Sequence, residues 1–245
     1  MSQVKVTSAE VAALAGVSQS AVSRVFTPGA SASAKTALKV RQAAVKLGYR
    51  PNSIARAMVS GKSRIIGLVV AYLENQFYPE ALEKLSAMLQ DRGYHVLIFM
   101  ANTATDNLDE ILGEILDYQV DGIVAASVAL SSQLLDRCQN AGVPVVLFNR
   151  SQDLQSLSSV TSDNIQGGRK VAEFLLATAP NRIGYIAGWE GASTQRDREF
   201  GFRQRLAESG RDIDVRTIGN FHMDSARQAT LEMFDREAPP DAIFV

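Results

Sequence analysis

The sequence predicts a small all-α head of the helix-turn-helix type, followed by a larger α/β body with parallel sheets. Three observations lead to this prediction. In the first 50 residues, apolar positions recur at helical spacing between hydroxyl residues that favour helix starts and glycines that favour helix ends. From residue 65 onward, continuous apolar runs alternate with amphipathic stretches, which is typical of parallel strands covered by helices on both faces. The formal charge also changes, from +9 over residues 1–64 to −10 over residues 65–245.

Length and composition place the chain among globular proteins. Its 245 residues are enough for two domains, and 46% hydrophobic with 21% charged residues excludes a disordered or fibrous chain. One cysteine and two histidines exclude a disulfide framework and a Cys/His metal cluster, so we expect no metal and no cofactor. The N-terminus lacks the apolar core of a secretory signal, and the longest apolar run has about half of the ~20 residues that cross a bilayer. We expect a cytoplasmic protein that does not contact membranes.

Hydroxyl side chains and glycines divide the head into short helices. Thr7 and Glu10 have the spacing of a capping box, in which each residue satisfies a backbone N–H of the other. The predicted starts of the three helices are Thr7, Ser18 and Ser33, and their predicted ends are Gly16, Pro28-Gly29 and Gly48. A further short helical segment is predicted over Ser53–Val59.

The body alternates strands and helices to its last residue. The predicted strands cover residues 65–71, 94–99, 122–126, 144–148, 158–161, 182–187 and 213–218, with a further apolar run at 242–245. The predicted helices cover residues 106–118, 131–140, 165–178, 196–209 and 223–236, and one more, with leucines 82, 85 and 89 on its apolar face, ends at Gly93. A parallel strand needs neighbours and helical cover. We therefore expect the chain to be a fragment with a core that is incomplete at the C-terminus.

The first two helices carry the pattern of a helix-turn-helix. That motif needs small and apolar residues where the helices cross, a glycine in the tight turn, and two apolar anchors in the second helix. The residues that fill these places are Val11, Ala12, Ala15, Gly16, Val17, Val22 and Val25. The second helix then offers its exposed N-terminal residues to a DNA major groove. A structural three-helix bundle is the alternative, and the positive charge of the head favours DNA.

Longer stretches closely resemble the LacI/GalR family of repressors. In the head these are VAALAGVS at 11–18, AVSRV at 21–25, SAKT at 33–36 and GYRPN at 48–52. In the body they are IGLV at 66–69, NQFY at 75–78, VDGI at 120–123, VPVV at 143–146, DNIQGG at 163–168 and REFGF at 198–202. The resemblance implies a homodimeric, ligand-responsive transcription regulator with a two-lobed, periplasmic-binding-protein-like core that continues past residue 245.

The resemblance also assigns residues of the head to DNA. It implies base contacts from Gln19, Ser20 and Arg24, where an Arg fork suits guanine and a Gln amide suits adenine. It implies phosphate contacts from Thr7, Ser18, Ser23, Lys35, Thr36 and Asn52, which set the register without reading sequence. For Thr7 and Ser18, helix capping is the alternative role, and both roles are compatible.

The segment Ser53–Val59 resembles the hinge helix of the family. At about two turns it is too short to be stable alone, so we expect it to fold when paired on DNA. Ala55 and Arg56 are expected against the minor groove. Met58 stands where the family has a leucine that wedges into a base step, and methionine is apolar and flexible enough to do the same. Packing of Met58 between helices is the alternative.

Ligands of open α/β sheets bind at the carboxyl ends of the strands, which points to the loops of the body. The candidate effector-binding residues there are Asn75, Phe77, Asn149, Asp163, Arg198 and Phe221. The resemblance implies that Arg198 is the main polar anchor and that Phe77 and Phe221 are aromatic walls. Trp189, in the stretch GWEG at 188–191, is a further candidate for the rim. Two candidates have structural alternatives, because Asp163 is placed to cap a helix and Phe221 can belong to the core.

Together these features predict a transcription regulator, expected to be a repressor, that binds a pseudo-palindromic operator as a homodimer and responds to a sugar-like effector. The predicted domains are a DNA-binding head (1–50), a hinge (51–62) and an effector-binding and dimerisation domain (63–245). An enzyme is disfavoured because the sequence has no P-loop, no Gly-x-Gly-x-x-Gly after the first strand and no Gly-x-Ser-x-Gly. The alternative is a solute-binding protein of a transport system, which the basic head and the missing signal sequence disfavour. We expect the regulator in the cytoplasm, associated with the nucleoid.

Overall fold

In a computed structural model the chain forms two compact units, the head (Met1–Arg64) and the body (Ile65–Val245). The structure describes residues 6–27, 29–51, 61–71, 73, 76–101, 108–128, 130–152 and 157–245. The predicted hinge segment and five predicted site residues lie outside the described residues: Asn52, Ala55, Arg56, Met58 and Asn75.

The described part of the head contains helices α1 (Ser8–Ala15), α2 (Gln19–Phe26) and α3 (Ala34–Leu47). Each begins where the sequence predicts, with the hydroxyl oxygen of Thr7, Ser18 or Ser33 accepting a backbone N–H of the first turn. At α1 the capping box is complete, because the Thr7 N–H donates to Glu10 Oε2 at 2.7 Å and the Glu10 N–H donates to Thr7 Oγ1 at 3.4 Å. Gly16 ends α1 with a left-handed φ of 64°, in the turn between α1 and α2.

The core of the head consists largely of alanine and valine. Its buried members are Val11, Ala12, Ala15, Val22, Val40, Ala43 and Ala44. Small side chains let the three helices approach closely, and the rings of Phe26 and Tyr49 close one end of this core at 5.9 Å between centroids. Because Val22 is fully buried, the opposite face of α2 is turned to solvent.

The first half of the body is a five-stranded parallel sheet. Its strands are β1 (Ile65–Val70), β2 (His95–Met100), β3 (Gly122–Ala126), β4 (Val145–Phe148) and β5 (Ser158–Val160), in the order β2-β1-β3-β4-β5. The helices in this half are α4 (Phe77–Asp91), α5 (Leu108–Asp117) and α6 (Ser132–Asn140). One apolar cluster includes Leu112, Ile115 and Leu134 from helices, and a second includes Tyr78 and Leu82, so helical cover contributes to two separate cores on this sheet.

The second half is a smaller parallel sheet. Its strands are β6 (Ile183–Ala187), β7 (Val215–Ile218) and β8 (Ala242–Phe244), in the order β7-β6-β8, and its helices are α7 (Asn164–Ala177), α8 (Ser193–Ala207) and α9 (Met223–Phe234). Tyr185 and Phe202 form the centre of the main cluster and are 5.6 Å apart between ring centroids. Strands and helices follow the predicted order throughout the described residues.

Helix α8 begins three residues earlier than the sequence predicts. Its N-cap is Ala192, which has no side-chain oxygen to mark a helix start, and its first residues are polar. Ser193, Thr194 and Gln195 are nevertheless buried, because they face the rest of the body. The predicted start at residue 196 is therefore wrong.

Helices α7 and α8 cross in direct backbone contact. A Cβ at Gly168 would overlap the carbonyl oxygen of Arg198, and a Cβ at Gly201 would overlap that of Ile165. Only glycine fits at either position without moving a backbone. The crossing fixes where α8 presents Arg198.

No helix in the described ranges is long and apolar enough to span a membrane.

Candidate functional site

The exposed face of α2 is the first candidate site. Gln19 and Ser20 lie in the first turn of this helix, and Arg24 lies one turn after Ser20. All three predicted base-contacting side chains are exposed, and so is Ser23. The helix therefore presents a polar face with one guanidinium group, anchored from behind by Val22.

Short-range hydrogen bonds organise the start of this face. Gln19 Nε2 donates to Ser8 Oγ at 2.8 Å and so links α2 to α1. The hydroxyl groups of Ser18 and Ser20 share a hydrogen bond of 2.9 Å, and Ser18 Oγ also accepts from the Ala21 N–H at 3.2 Å. Capping by Ser18 is thus observed, and its phosphate contact stays a prediction.

The remaining described candidates for phosphate contacts lie at the starts of α1 and α3. Thr7 is exposed where α1 begins, and Lys35 is exposed in the first turn of α3. Beside Lys35, Ser33 Oγ accepts from the Thr36 N–H at 3.2 Å and donates to Thr36 Oγ1 at 2.9 Å. Helix N-termini with hydroxyl groups and a lysine attract anions. The start of α3 therefore suits a phosphate group. At the start of α1 the Glu10 carboxylate already accepts from the Thr7 N–H and hydroxyl groups, so the phosphate contact of Thr7 stays a prediction.

Glu10 is the only acidic residue between positions 1 and 64. Hydrogen bonds from the backbone and the side chain of Thr7 lower the pKa of its carboxyl group. The stabilisation that this carboxylate gives to α1 is complete above its ordinary pKa and is lost as the pH falls through the lowered value. The local pairing leaves the rest of the head uniformly basic, as a surface that meets a polyanion requires.

In the first half of the body, polar side chains meet at the carboxyl ends of β3 and β4. Asn149 follows β4 with a left-handed φ of 68°, and its Nδ2 donates to the Tyr78 hydroxyl at 2.8 Å and to Ser127 Oγ at 3.2 Å. The hydroxyl groups of Tyr78 and Ser127 are also hydrogen-bonded to each other. Asn149 is therefore fixed by partners 71 and 22 residues away in the sequence.

Phe77 lies beside this cluster. Its ring stacks on Phe148 at 5.8 Å between centroids with a 7° interplanar angle, and it meets Tyr78 edge-on at 5.3 Å. The side chain is 44% exposed, so one side of the ring is open to solvent. The geometry suits the predicted role as an aromatic wall.

In the second half of the body, Arg198 is held by Asn164, which was not among the predicted site residues. Its Nε donates to Asn164 Oδ1 at 2.9 Å. Asn164 Nδ2 in turn donates to the Ser162 carbonyl at 3.0 Å, which orients the amide so that its oxygen faces the guanidinium group. Asp163 caps α7 by accepting the Gln166 N–H at 2.9 Å, so its structural alternative is observed.

Phe221 stands on a strained turn. It and Asn220 have φ values of 58° and 55°, a conformation that side chains with a Cβ rarely adopt. The turn lays the ring of Phe221 against Gly188, where a Cβ would overlap it. Phe221 is 45% exposed, which suits an aromatic wall better than a core residue.

Two contacts join the halves of the body next to these groups. The guanidinium carbon of Arg150 lies 5.3 Å from the ring centroid of Trp189. The Ser151 N–H donates to Ser193 Oγ at 2.9 Å. Since Arg150 and Ser151 directly follow Asn149, the loop after β4 meets the loop that leads into α8.

The structure therefore groups the effector candidates on two sides. Asn149 and Phe77 belong to the first half of the body, and Arg198 and Phe221 belong to the second half. Sequence reasoning missed Tyr78, Ser127 and Asn164. Tyr78 and Asn164 are direct neighbours of predicted residues, and Ser127 directly follows a predicted strand. These positions in the sequence were the signal that could have identified the three residues as candidates for the site.

The described residues hold no group of three or more His, Cys, Asp or Glu side chains that could bind a metal ion. The one cysteine, Cys138, is buried in the first core, and burial raises the pKa of its thiol.

Both parts of the chain match described protein families. Residues 7–52 match "Bacterial regulatory proteins, lacI family", and residues 63–245 match "Periplasmic binding proteins and sugar binding domain of LacI family". The predicted fold class, a helix-turn-helix head with a parallel-sheet α/β body of periplasmic-binding-protein type, is confirmed.

Individual proteins are similar along nearly the whole chain. Catabolite control protein A of Priestia megaterium is 28% identical over 245 residues, which cover 99% of this chain and 74% of that protein. A solved complex of the transcriptional regulator CelR with cellobiose is 31% identical, with a TM-score of 0.66 over 98% of this chain and 73% of that one. The lac repressor dimer bound to operator and the anti-inducer ONPF is 25% identical, with a TM-score of 0.85 over 98% and 73%.

Proposed function

The chain belongs to the LacI family of bacterial regulatory proteins. We propose that it is a repressor and that its affinity for a pseudo-palindromic operator changes when a sugar-like ligand binds to the body. It is a DNA-binding transcription regulator with a sugar-binding domain. One observation carries the proposal of operator binding under ligand control. The exposed polar face of α2 lies on a head of net charge +9, in the same chain as a body with two sheets.

The head reads DNA through α2 in this proposal. Arg24 places its fork on the O6 and N7 atoms of a guanine, and Gln19 pairs with an adenine, with Ser20 between them. The phosphate contacts come from Thr7, Ser18, Lys35 and Thr36 at helix starts and from Ser23 within α2, with Asn52 beyond them. A homodimer places two such heads on the two half-sites. The lac repressor bound to its operator is likewise a dimer, which supports this assembly.

The domain boundaries and the hinge are part of the same proposal. We assign residues 1–50 to the DNA-binding head, 51–62 to the hinge and 63–245 to effector binding and dimerisation. In the hinge, Ala55 and Arg56 lie against the minor groove and Met58 enters a base step. Their roles rest on the family pattern of the sequence.

The ligand lies between the two halves of the body, where each half presents polar side chains from its loops and helices. Arg198 is a forked, permanently charged donor that suits a pair of sugar hydroxyls or an acidic group. Asn149, Asn75 and Asp163 add polar contacts, and Phe77 and Phe221 cover the apolar face of a sugar ring. Cellobiose in the CelR complex supports a sugar or sugar derivative as the ligand class.

The ligand acts by biasing the two halves of the body. A ligand that contacts both sheets favours one arrangement of the halves, and this arrangement sets the spacing of the two hinges in the dimer. Two contacts beside the site already join the halves, one between Arg150 and Trp189 and one between Ser151 and Ser193.

The chain acts as a regulator and not as an enzyme in this proposal, and it acts in the cytoplasm at the nucleoid.

Selection of DNA sequences by the purified chain tests this proposal. Duplexes enriched from a random pool are expected to contain two inverted half-sites, and their affinity, measured by fluorescence anisotropy, is expected to exceed that of scrambled DNA about 10³-fold or more. A panel of sugars, sugar acids and sugar phosphates is then added to the complex. Enrichment without inverted half-sites, or a selected complex that no panel member changes, would contradict the proposal.

A further inference from the structure

Gln195 is a buried polar residue that the proposed function does not use. It lies in the first turn of α8 and is 4% exposed. Its Oε1 accepts from the Gly188 N–H at 2.7 Å, and its Nε2 donates to Glu199 Oε2 at 2.9 Å and to the Tyr185 hydroxyl at 3.1 Å. One amide thus joins the helix that carries Arg198 to the loop that follows β6.

A second connection reaches the same loop. Arg216 on β7 donates to both carboxylate oxygens of Glu199 at 2.9 Å and to Glu190 Oε1 at 2.9 Å. Arg203 also donates to Glu199 at 2.9 Å. Burial alone would raise the pKa of the Glu199 carboxyl, but the hydrogen bonds and charges of the two arginines lower it. Glu199 is therefore a charged acceptor for the Gln195 amide at neutral pH.

The loop that these bonds hold is the support of two candidate ligand contacts. Gly188, whose N–H is held by Gln195, carries the ring of Phe221 against its Cα. Trp189, the next residue, packs its ring over Gly191 and meets Arg150 from the other half of the body. A shift of the 188–191 loop would therefore move an aromatic wall of the site and one of the contacts between the two halves.

We propose that Gln195 is a positioning residue of the ligand site. It holds the 188–191 loop, so that Phe221 is in place to contact the ligand and Trp189 is in place to contact Arg150. The inference rests on the proposed ligand site. The side-chain geometry favours this role over a purely structural one. The shortest hydrogen bond of Gln195 goes to a loop N–H outside every helix and strand, and its other bonds fix the amide to β6 and to its own helix.

Trp189 is the only tryptophan of the chain, so its fluorescence reports on this loop without any ligand. Gln195→Met keeps the volume and the helix propensity and removes every hydrogen bond of the amide. Gln204→Met is the matched control, because Gln204 lies exposed on the same helix and accepts one hydrogen bond, from Arg169. Both variants are compared with the unchanged chain in thermal melting, Trp189 anisotropy, acrylamide quenching and affinity for the panel sugar that binds most tightly.

We expect Gln195→Met to raise the quenching constant roughly twofold because its loop is released, and to lower the Trp189 anisotropy. Sugar affinity is expected to fall roughly fivefold, the equivalent of about one hydrogen bond. The control is expected to match the unchanged chain in all of these measurements. A Gln195→Met chain that folds with unchanged Trp189 signals overturns the proposal, whatever its sugar affinity.

A measurement on the unchanged chain covers the case in which Gln195→Met fails to fold. The Gly188 amide is expected to exchange its hydrogen at least roughly tenfold more slowly than the amides of Trp189 and Gly191, since it alone of the three has Gln195 as acceptor. Equal exchange rates in this loop overturn the proposal. These readouts need no ligand, so they fail independently of the proposed function, which fails if no panel member binds the unchanged chain.

Discussion

The head and the body hold their recognition side chains in different ways. On α2, Gln19, Ser20 and Arg24 are exposed, and the hydrogen bonds around them join residues at most 11 positions apart. In the body, Asn149 and Arg198 are partly buried, and their bonds join residues 71 and 34 positions apart. The ligand candidates of the body are thus held by distant parts of the chain, whereas the reading surface of the head is exposed and is held only by near neighbours.

This difference has an energetic meaning. Side chains that are ordered in advance lose little conformational freedom on binding, so a small ligand can bind with few contacts. An operator offers many phosphate and base contacts, which can offset the ordering of exposed side chains.

The close backbone crossing of α7 and α8 fixes the position of Arg198 in the ligand site of the body. We expect Gly201→Ala to destabilise the body by about 3 kcal/mol, because its Cβ would overlap the carbonyl oxygen of Ile165 and two backbones must separate. The melting temperature, followed by Trp189 fluorescence, should fall by roughly 2–4 °C for each kcal/mol. Gly167→Ala is the control, since nothing lies within 4 Å of its added Cβ and alanine favours the helix. Similar melting of both variants would show that the crossing tolerates separation.

Arg198→Ala separates ligand binding from DNA binding. We expect the affinity for the sugar that the unchanged chain binds to fall roughly 10- to 100-fold, because hydrogen bonds to a charged group contribute about 1.5–3 kcal/mol. Operator affinity without ligand should stay within roughly twofold, since the head is a separate unit. Titration calorimetry and anisotropy provide the two values. Unchanged sugar affinity would assign Arg198 to the support of Asn164 instead.

Arg24→Ala tests the reading surface of the head. We expect a loss of about 1–3 kcal/mol on the selected operator and little loss on random DNA, because a guanine fork is lost. Lys35→Ala is the comparison, since a phosphate contact weakens both DNAs alike and reduces the salt slope by about 1. Anisotropy titrations at several salt concentrations distinguish the two patterns. Equal losses for Arg24→Ala on both DNAs would place its side chain on a phosphate.

Thr7→Ala gives the smallest expected effect and divides capping from DNA contact. Loss of the cap should destabilise α1 by about 1 kcal/mol, visible as faster amide exchange in residues 8–15. Thr7→Asn keeps a good cap and should restore slow exchange. Operator affinity that remains low in Thr7→Asn supports the phosphate contact. Full recovery of both properties would leave Thr7 with the capping role alone.

The parts of the molecule that the sequence predicts are those with local signals. Thr7, Ser18 and Ser33 begin helices because an oxygen next to a free N–H is a property of a few adjacent residues. Gly16 and Gly48 end helices for an equally local reason. The alternation of strands and helices in the body also follows from patterns within short windows, and the described order agrees with it.

The parts that the sequence misses depend on distant partners. Ala192 gives no sign of a helix start, and Gln195 stands in a polar stretch without an apolar periodicity. Its burial follows from the loop and strand that pack on it. Asn164 matters because Arg198 arrives from another helix, which no local pattern reveals. Candidate site residues could therefore be selected from family motifs, while the groups that fix them required the fold.

The hydrogen bond from Gln19 to Ser8 has a consequence for how the head contacts DNA. In the absence of DNA, one of the two N–H groups of the Gln19 amide already donates to Ser8 Oγ. An adenine needs one N–H group and the amide oxygen, so Ser8 and the base can share the same amide. The internal bond restricts the rotamers of Gln19 before DNA arrives, and less conformational freedom is therefore lost when the base is bound.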